Sequence, residues 1–251
     1  MKINGMQVEV AGEGPAVVLV HGLGGTSNVW QPQVSTLAQR FKVYRPDLVG
    51  SGRSPAQSAV SVTGFVADLI ALLDQEKISE AAFVGHSFGS LILQHLAVTH
   101  PKRVSKLSLV GPVRAPAEAG RKGTRDRAAR VRAEGMAWLG DTLINVAVSA
   151  ATRERKPAVV ALVREFIMRQ VPEDYARSCE ALASATDAEV SRISCPTLLI
   201  TGTEDVVAPP AAAEKLRAEI PGSRLEVLTE CGHWTPIEQP DAVTTLLAKF
   251  L

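Results

Sequence analysis

The pentapeptide Gly85-His86-Ser87-Phe88-Gly89 constrains this chain more than any other stretch. It follows the apolar run Ala81-Ala82-Phe83-Val84 and opens an apolar-periodic stretch from Leu91 to Val98, a pattern of strand, tight turn and helix. A turn that sharp forces its central residue into a strained backbone conformation, and glycines flank it because a Cβ on either side would strike the strand or the helix. The Ser87 hydroxyl is left exposed at the amino end of a helix, where unpaired N–H groups and the helix dipole favour developing negative charge. Ser87 is therefore the candidate nucleophile.

A hydroxyl attacks poorly at neutral pH unless a base takes its proton and a third group orients that base. Of the five histidines, His21 and His86 precede Ser87, and His95 and His100 lie too far along its helix to reach back. His233 remains as the candidate base, in the loop Glu230-Cys231-Gly232-His233-Trp234 after the last predicted strand. The acid is expected in Thr201-Gly202-Thr203-Glu204-Asp205, where the short side chain of Asp205 is preferred over its neighbour Glu204. Asp47 is expected to act as a turn cap. Acyl transfer also needs donors for an oxyanion, each worth ~10²–10³ in rate. The backbone N–H groups of Phe88 and of Leu23, within His21-Gly22-Leu23-Gly24-Gly25, are the candidates.

Short runs rich in Val, Ile and Leu recur with helical patterns between them, which predicts a mostly parallel sheet covered on both faces. The predicted strands are residues 7–10, 16–20, 41–44, 81–84, 107–110, 197–201 and 225–228, and the predicted helices are 62–75, 87–99, 211–220 and 241–251. Only a Gly/Pro turn separates the first two strands, so an antiparallel hairpin is expected there. Between Gly111 and Ser194 no strand pattern occurs, only helical spacing broken at Gly135, Pro157 and Pro172. The expected organisation is thus a core of residues 1–111 and 195–251 with an inserted helical cap, residues 112–194. Such an insert leaves the sheet at the carboxyl ends of strands, where ligands bind. Met136 and Trp138 in the cap, with Trp234 beside the base, are the candidate pocket residues.

A formal net charge of +1 with interspersed signs offers no electrostatic attraction for nucleic acid or an anionic membrane. The densest basic stretch, residues 121–132, alternates with alanine and acid, and is expected to be a solvated helix face. No apolar run is long enough for a membrane span, and the start of the chain lacks the pattern of a signal peptide. Cys179, Cys195 and Cys231 are widely spaced and odd in number, as in reduced cytoplasmic proteins. No metal is expected, because no His-Glu-x-x-His or comparable cluster occurs. The Gly22-x-Gly24 pair with Asp47 downstream partly fits a dinucleotide fingerprint, but Ser27 occupies the third glycine position and Ser87 and His233 would have no role.

The order Ser87, Asp205, His233, together with His21-Gly22, Asp47-Leu48-Val49-Gly50-Ser51-Gly52-Arg53-Ser54 and Gly232-His233-Trp234, resembles the α/β-hydrolase superfamily over essentially the whole chain. Within it, Val131-Arg132-Ala133-Glu134-Gly135-Met136-Ala137 and Pro236-Ile237-Glu238-Gln239-Pro240 are similar to 3-oxoadipate enol-lactonases. The resemblance implies an α/β-hydrolase fold and a serine esterase or lactonase acting on a small-molecule substrate through an acyl-enzyme, with no cofactor. Carbon–carbon bond hydrolases of ring-cleavage products and a triad-bearing ligand receptor are the alternatives. Haloalkane dehalogenases and epoxide hydrolases carry an aspartate where this chain has Ser87.

Overall fold

A computed structural model describes all residues, 1–251. Eight strands form one sheet: β1 Lys2–Ile3, β2 Met6–Ala11, β3 Ala16–Val20, β4 Lys42–Asp47, β5 Ala81–His86, β6 Val104–Val110, β7 Thr197–Gly202 and β8 Arg224–Leu228. Their spatial order is β1-β2-β4-β3-β5-β6-β7-β8. From β3 to β8 every pairing is parallel, and only β2 runs the other way, antiparallel to both β1 and β4. The mostly parallel, helix-covered sheet expected from the sequence is therefore present.

The expected hairpin between the first two predicted strands is not. β2 pairs antiparallel with β4, and β3 lies on the other side of β4. The reason is in the connecting glycines. Gly12 and Gly14 adopt φ of 74° and 112°, and a Cβ on Gly12 would stand 2.4 Å from the carbonyl oxygens of both Ala38 and Phe41. The link thus passes hard against the segment entering β4, which leaves room for β4 between its two ends. The hairpin that does form joins β1 to β2 through Asn4 and Gly5, at φ of 45° and 86°, the positive values that a tight two-residue turn requires.

Strand alternation divides the core between two faces. Val18 and Val20 of β3 pack with Phe83 and Leu107 on one side, whereas Val17 and Leu19 pack with Val84 and Ile200 on the other. Every residue of β5 is buried, as expected of the strand that carries the serine turn at the centre of the sheet.

Eleven α-helices follow the chain in order: α1 Gln31–Leu37, α2 Val62–Gln75, α3 Phe88–Thr99, α4 Glu118–Glu134, α5 Ala137–Ala147, α6 Ala150–Arg155, α7 Pro157–Met168, α8 Pro172–Ala183, α9 Pro210–Glu219, α10 Thr235–Glu238 and α11 Pro240–Phe250. In α2, residues Val62, Phe65, Val66, Leu69, Leu72 and Leu73 recur at the spacing of one helix face and are all buried. Its Ser61 N-cap accepts the Gly64 N–H at 3.0 Å, a cap worth about 1 kcal/mol. Helices α2, α3 and α9 contribute to one core face, and α1 and α11 to the other. Five helices, α4 to α8, lie between β6 and β7 with no strand among them. The three breaks expected there have local causes. Gly135 ends α4 at φ 76°, and Pro157 and Pro172 open α7 and α8, where a missing N–H costs nothing.

Candidate active site

Because strands β3 to β8 are parallel, the loops that follow them emerge at one edge of the sheet. Ser87 sits between β5 and α3 with φ 52° and ψ −120°, a conformation that costs a non-glycine residue about 1–3 kcal/mol. The surroundings hold it there. Its N–H donates to the Val110 carbonyl at 2.9 Å, and a Cβ on Gly85 would stand 2.7 Å from the Gly89 carbonyl oxygen. A Cβ on Gly89 would stand 2.5 Å from the His21 carbonyl oxygen. Both flanking positions therefore admit only glycine without a backbone shift.

His233 Nε2 lies 2.8 Å from Ser87 Oγ, and His233 Nδ1 lies 2.8 Å from Asp205 Oδ2. These partners assign the tautomer. Nδ1–H donates to the carboxylate, which leaves the Nε2 lone pair facing the hydroxyl. The other oxygen of Asp205 accepts the N–H groups of Val207 and Ala208 at 2.9 and 2.7 Å. Burial alone would raise the Asp205 carboxyl, but His233 and these N–H donors hold it below the usual carboxylate range. Glu204, the rival acid, is directed elsewhere and accepts the Ala150 N–H at 2.7 Å. Gly111, at φ 53°, ends β6 beside this pair, and a Cβ there would approach His233 Nδ1 to 3.2 Å.

The loop that carries His233 is tied down by a residue to which sequence reasoning gave no role. Glu238 in α10 is fully buried, and its Oε2 accepts the N–H of Gly232 at 3.1 Å while its Oε1 accepts that of Trp234 at 3.1 Å. The two residues flanking His233 thus share one carboxylate. The same Oε2 accepts the Ser149 N–H at 2.9 Å, and His233 N–H donates to the Ala147 carbonyl at 2.8 Å. Through these bonds the end of α5 and the start of α6 are joined directly to the His233 loop. A carboxylate standing among Trp234, Pro236 and Ile237 was the available signal, since a charge in an apolar run must find donors.

His86 completes the support. Its Nε2–H donates to the His233 carbonyl at 2.7 Å, and burial, followed by the proximity of His233, pushes its pKa down to about 3. It is neutral at any physiological pH. Buried His21 is likewise held neutral: its Nδ1–H donates to the Gly22 carbonyl at 2.8 Å and its Nε2 accepts the Leu48 N–H at 3.0 Å. Asp47, the expected turn cap, accepts the Ser27 N–H at 2.7 Å and Arg53 Nε–H at 2.8 Å. Burial raises the Cys231 thiol, so this cysteine stays protonated.

Gly22 and Gly25 close a turn, the Gly25 N–H donating to the Gly22 carbonyl at 3.0 Å, with Gly24 at φ 76°. Leu23 N–H finds no acceptor in the protein, and Phe88, the first residue of α3, has no intrahelical acceptor for its own. A Cβ on Gly22 would come within 2.7 Å of Ser87 Cβ, so the loop lies directly against the serine.

A cavity of about 350 Å³ opens beside Ser87 and His233. Leu23, Phe88, Leu143, Val146, Ala147 and Trp234 are among its walls. Of the three sequence-predicted pocket residues, Trp234 lines it, whereas Met136 and Trp138 do not. Met136 is buried with Leu139 and Ile167 among the helices, and Trp138 is stacked beneath the Arg130 guanidinium, 3.8 Å from its ring centre. Leu143, Val146 and Ala147, at the three- and four-residue spacing of one face, bring a different part of α5 to the cavity. The basic stretch in α4 is mostly the solvated face expected: Lys122 pairs with Asp126, Arg130 with Glu134, and Arg132 with Glu173 and Glu180. Arg127 differs, turning into the cavity. No three His, Cys, Asp or Glu side chains are grouped to hold a metal ion, and no helix is long and apolar enough to cross a membrane.

The family model for the alpha/beta hydrolase fold matches residues 15–240. The chain belongs to the α/β-hydrolase family. It is 32% identical over 230 residues to 3-oxoadipate enol-lactonase 2 of Acinetobacter baylyi, covering 91% of this chain and 85% of that one. It is 30% identical over 255 residues to 2-hydroxymuconate semialdehyde hydrolase of Pseudomonas putida, covering 96% and 88%. Among solved structures it is similar to a thermophilic esterase from Thermogutta terrifontis, with a TM-score of 0.94, 28% identity, and 97% and 92% of the two chains covered.

Proposed function

We propose that this protein hydrolyses a small carboxylic ester or lactone through an acyl-enzyme. Ser87 is the nucleophile, His233 the general base and Asp205 the acid that orients it. The observation that carries this reading is the unbroken chain of 2.8 Å contacts from Asp205 to His233 to Ser87, ending at the cavity. His233 Nε2 takes the hydroxyl proton as Oγ attacks the carbonyl carbon, and the N–H groups of Leu23 and Phe88 receive the resulting oxyanion. The tetrahedral intermediate collapses, and protonated His233 returns the proton to the leaving oxygen. Water then enters, loses a proton to His233 as it attacks the acyl carbon, and the collapse of this second intermediate releases the acid while His233 returns the proton to Ser87 Oγ. Asp205 remains ionised throughout, stabilising the imidazolium.

In this reading residues 112–194 are a cap over a core of residues 1–111 and 195–251, and the substrate is admitted between them. The unpaired cysteines fit a cytoplasmic protein. The test is sustained turnover of short-chain p-nitrophenyl esters by the wild type. Ser87→Ala should reduce kcat by up to ~10⁶ with an unchanged circular dichroism spectrum. Comparable activity in the variant overturns the assignment, and a single turnover by the wild type would instead fit a ligand receptor. The similarity to the Pseudomonas putida hydrolase supports a second reading, carbon–carbon bond hydrolysis with the same three residues. A panel of esters, the enol-lactone and a ring-cleavage product, compared by kcat/KM, separates the two.

A further inference from the structure

The cavity beside Ser87 has a charged side that the reaction above does not use. Two arginines reach it, Arg114 and Arg127. Arg114 is neutralised, with Nε donating to Asp187 at 2.9 Å and Nη1 to Glu219 at 2.7 Å. Arg127, half-buried in α4, forms no ion pair; its ionisable neighbours are Tyr175 and Cys179. Neither neighbour balances its charge. Burial pushes the Tyr175 phenol up and the Cys179 thiol up to about 12, so both are neutral at physiological pH.

Tyr175 carries a second signal. It is only 2% exposed, it lines the same cavity, and its hydroxyl has no hydrogen-bond partner. The Arg127 guanidinium is the charged neighbour of this phenol, yet the phenol oxygen has no hydrogen-bond partner. A buried orphan hydroxyl and an uncompensated, partly desolvated cation side by side are each unfavourable, and one ligand satisfies both. A carboxylate accepts two N–H bonds from the guanidinium fork and an O–H bond from a phenol. Tyr175 also touches the reacting end of the cavity, because a Cβ on Gly24, next to Leu23, would stand 3.3 Å from its ring.

We propose that Arg127 and Tyr175 form an anion subsite that binds a carboxylate carried by the substrate, so that the preferred ester or lactone is a monoanion. This rests on the hydrolase reading above. The carboxylate could belong to the acyl or the alcohol part, and two matched pairs distinguish them. The acyl pair is mono-p-nitrophenyl glutarate and its methyl ester; the alcohol pair is para-acetoxybenzoate and its methyl ester. Wild type should prefer the anion within at least one pair. Arg127→Gln should lower the anion-to-neutral ratio of kcat/KM by ~10–100-fold, the loss of a charge-assisted bond, and Tyr175→Phe by ~3–10-fold.

Binding supplies a readout independent of turnover. In Ser87→Ala protein, monomethyl glutarate should bind ~10–100-fold more weakly once Arg127→Gln is added, as measured by calorimetry. A ratio unchanged by both substitutions in both pairs, with binding also unchanged, overturns the subsite and leaves the hydrolase reading intact. Arg127-dependent binding in a protein that turns over no ester at all would support the subsite and sink the hydrolase reading. Should Arg127→Gln fail to fold, Tyr175→Phe decides, since it keeps the ring packing and removes only the hydroxyl.

Discussion

The Ser87 turn and the His233 loop meet at a 2.8 Å contact, yet they are held in opposite ways. The turn is encoded by a short motif: two glycines within five consecutive residues remove the Cβ atoms that would strike the Gly89 and His21 carbonyls, and the strained backbone is clamped between β5 and α3. The loop is shaped from a distance. Its geometry depends on His86 in β5 and on the Ala147 carbonyl in α5, and Glu238, four to six residues along from the loop N–H groups it holds, ties the loop to Ser149 as well. A nucleophile needs a fixed presentation that a short motif can encode. A base must be aligned to two partners at once, and for His233, the proposed base, that alignment is assembled from three separate parts of the chain.

This contrast can be challenged by substitution. Asp205→Asn should have the greatest consequence, lowering kcat ~10⁴-fold in ester hydrolysis, because the amide can present its NH₂ to Nδ1 and favour the wrong imidazole tautomer. Glu238→Gln should lower kcat ~10–100-fold while KM changes little, since an amide has one acceptor oxygen where the carboxylate uses two. If Glu238 supported the fold without aligning His233, Glu238→Gln would alter thermal stability and leave kcat unchanged. Gly89→Ala should act on the turn and cost about 1–3 kcal/mol of stability, because the new methyl meets backbone and not a movable side chain. Thermal unfolding should register it as a drop of about 2–4 °C per kcal/mol. An alanine variant with wild-type Tm and wild-type rate would show that the turn tolerates more than its contacts indicate.

The helices between β6 and β7 offer a second lesson. Their presence and their breaks at Gly135, Pro157 and Pro172 were legible, because glycine and proline interrupt helices by local backbone effects. Which faces they turn toward Ser87 was not. Met136 and Trp138 pack away from the cavity, while Leu143, Val146 and Arg127 reach it. Apolar side chains between helices and apolar side chains on a cavity wall obey the same spacing, so periodicity cannot separate them. The polar residues were similarly ambiguous. Arg127 stands in a stretch of basic residues whose other members are solvent-facing or paired, and only its surroundings distinguish it.

From the residues alone came the parallel sheet, the serine turn, the order of Ser87, Asp205 and His233, and the helical stretch between two strands. These depend on interactions a few residues long or on patterns that repeat along the chain. Tertiary structure alone decided that β4 would separate β2 from β3, that Glu238 would join the His233 loop to Ser149, and that Arg127 would face the cavity without a carboxylate. Each of those outcomes turns on which distant groups share a space. Strand placement, burial and charge pairing at long sequence separation are settled by packing the whole chain at once, and no local pattern records the result.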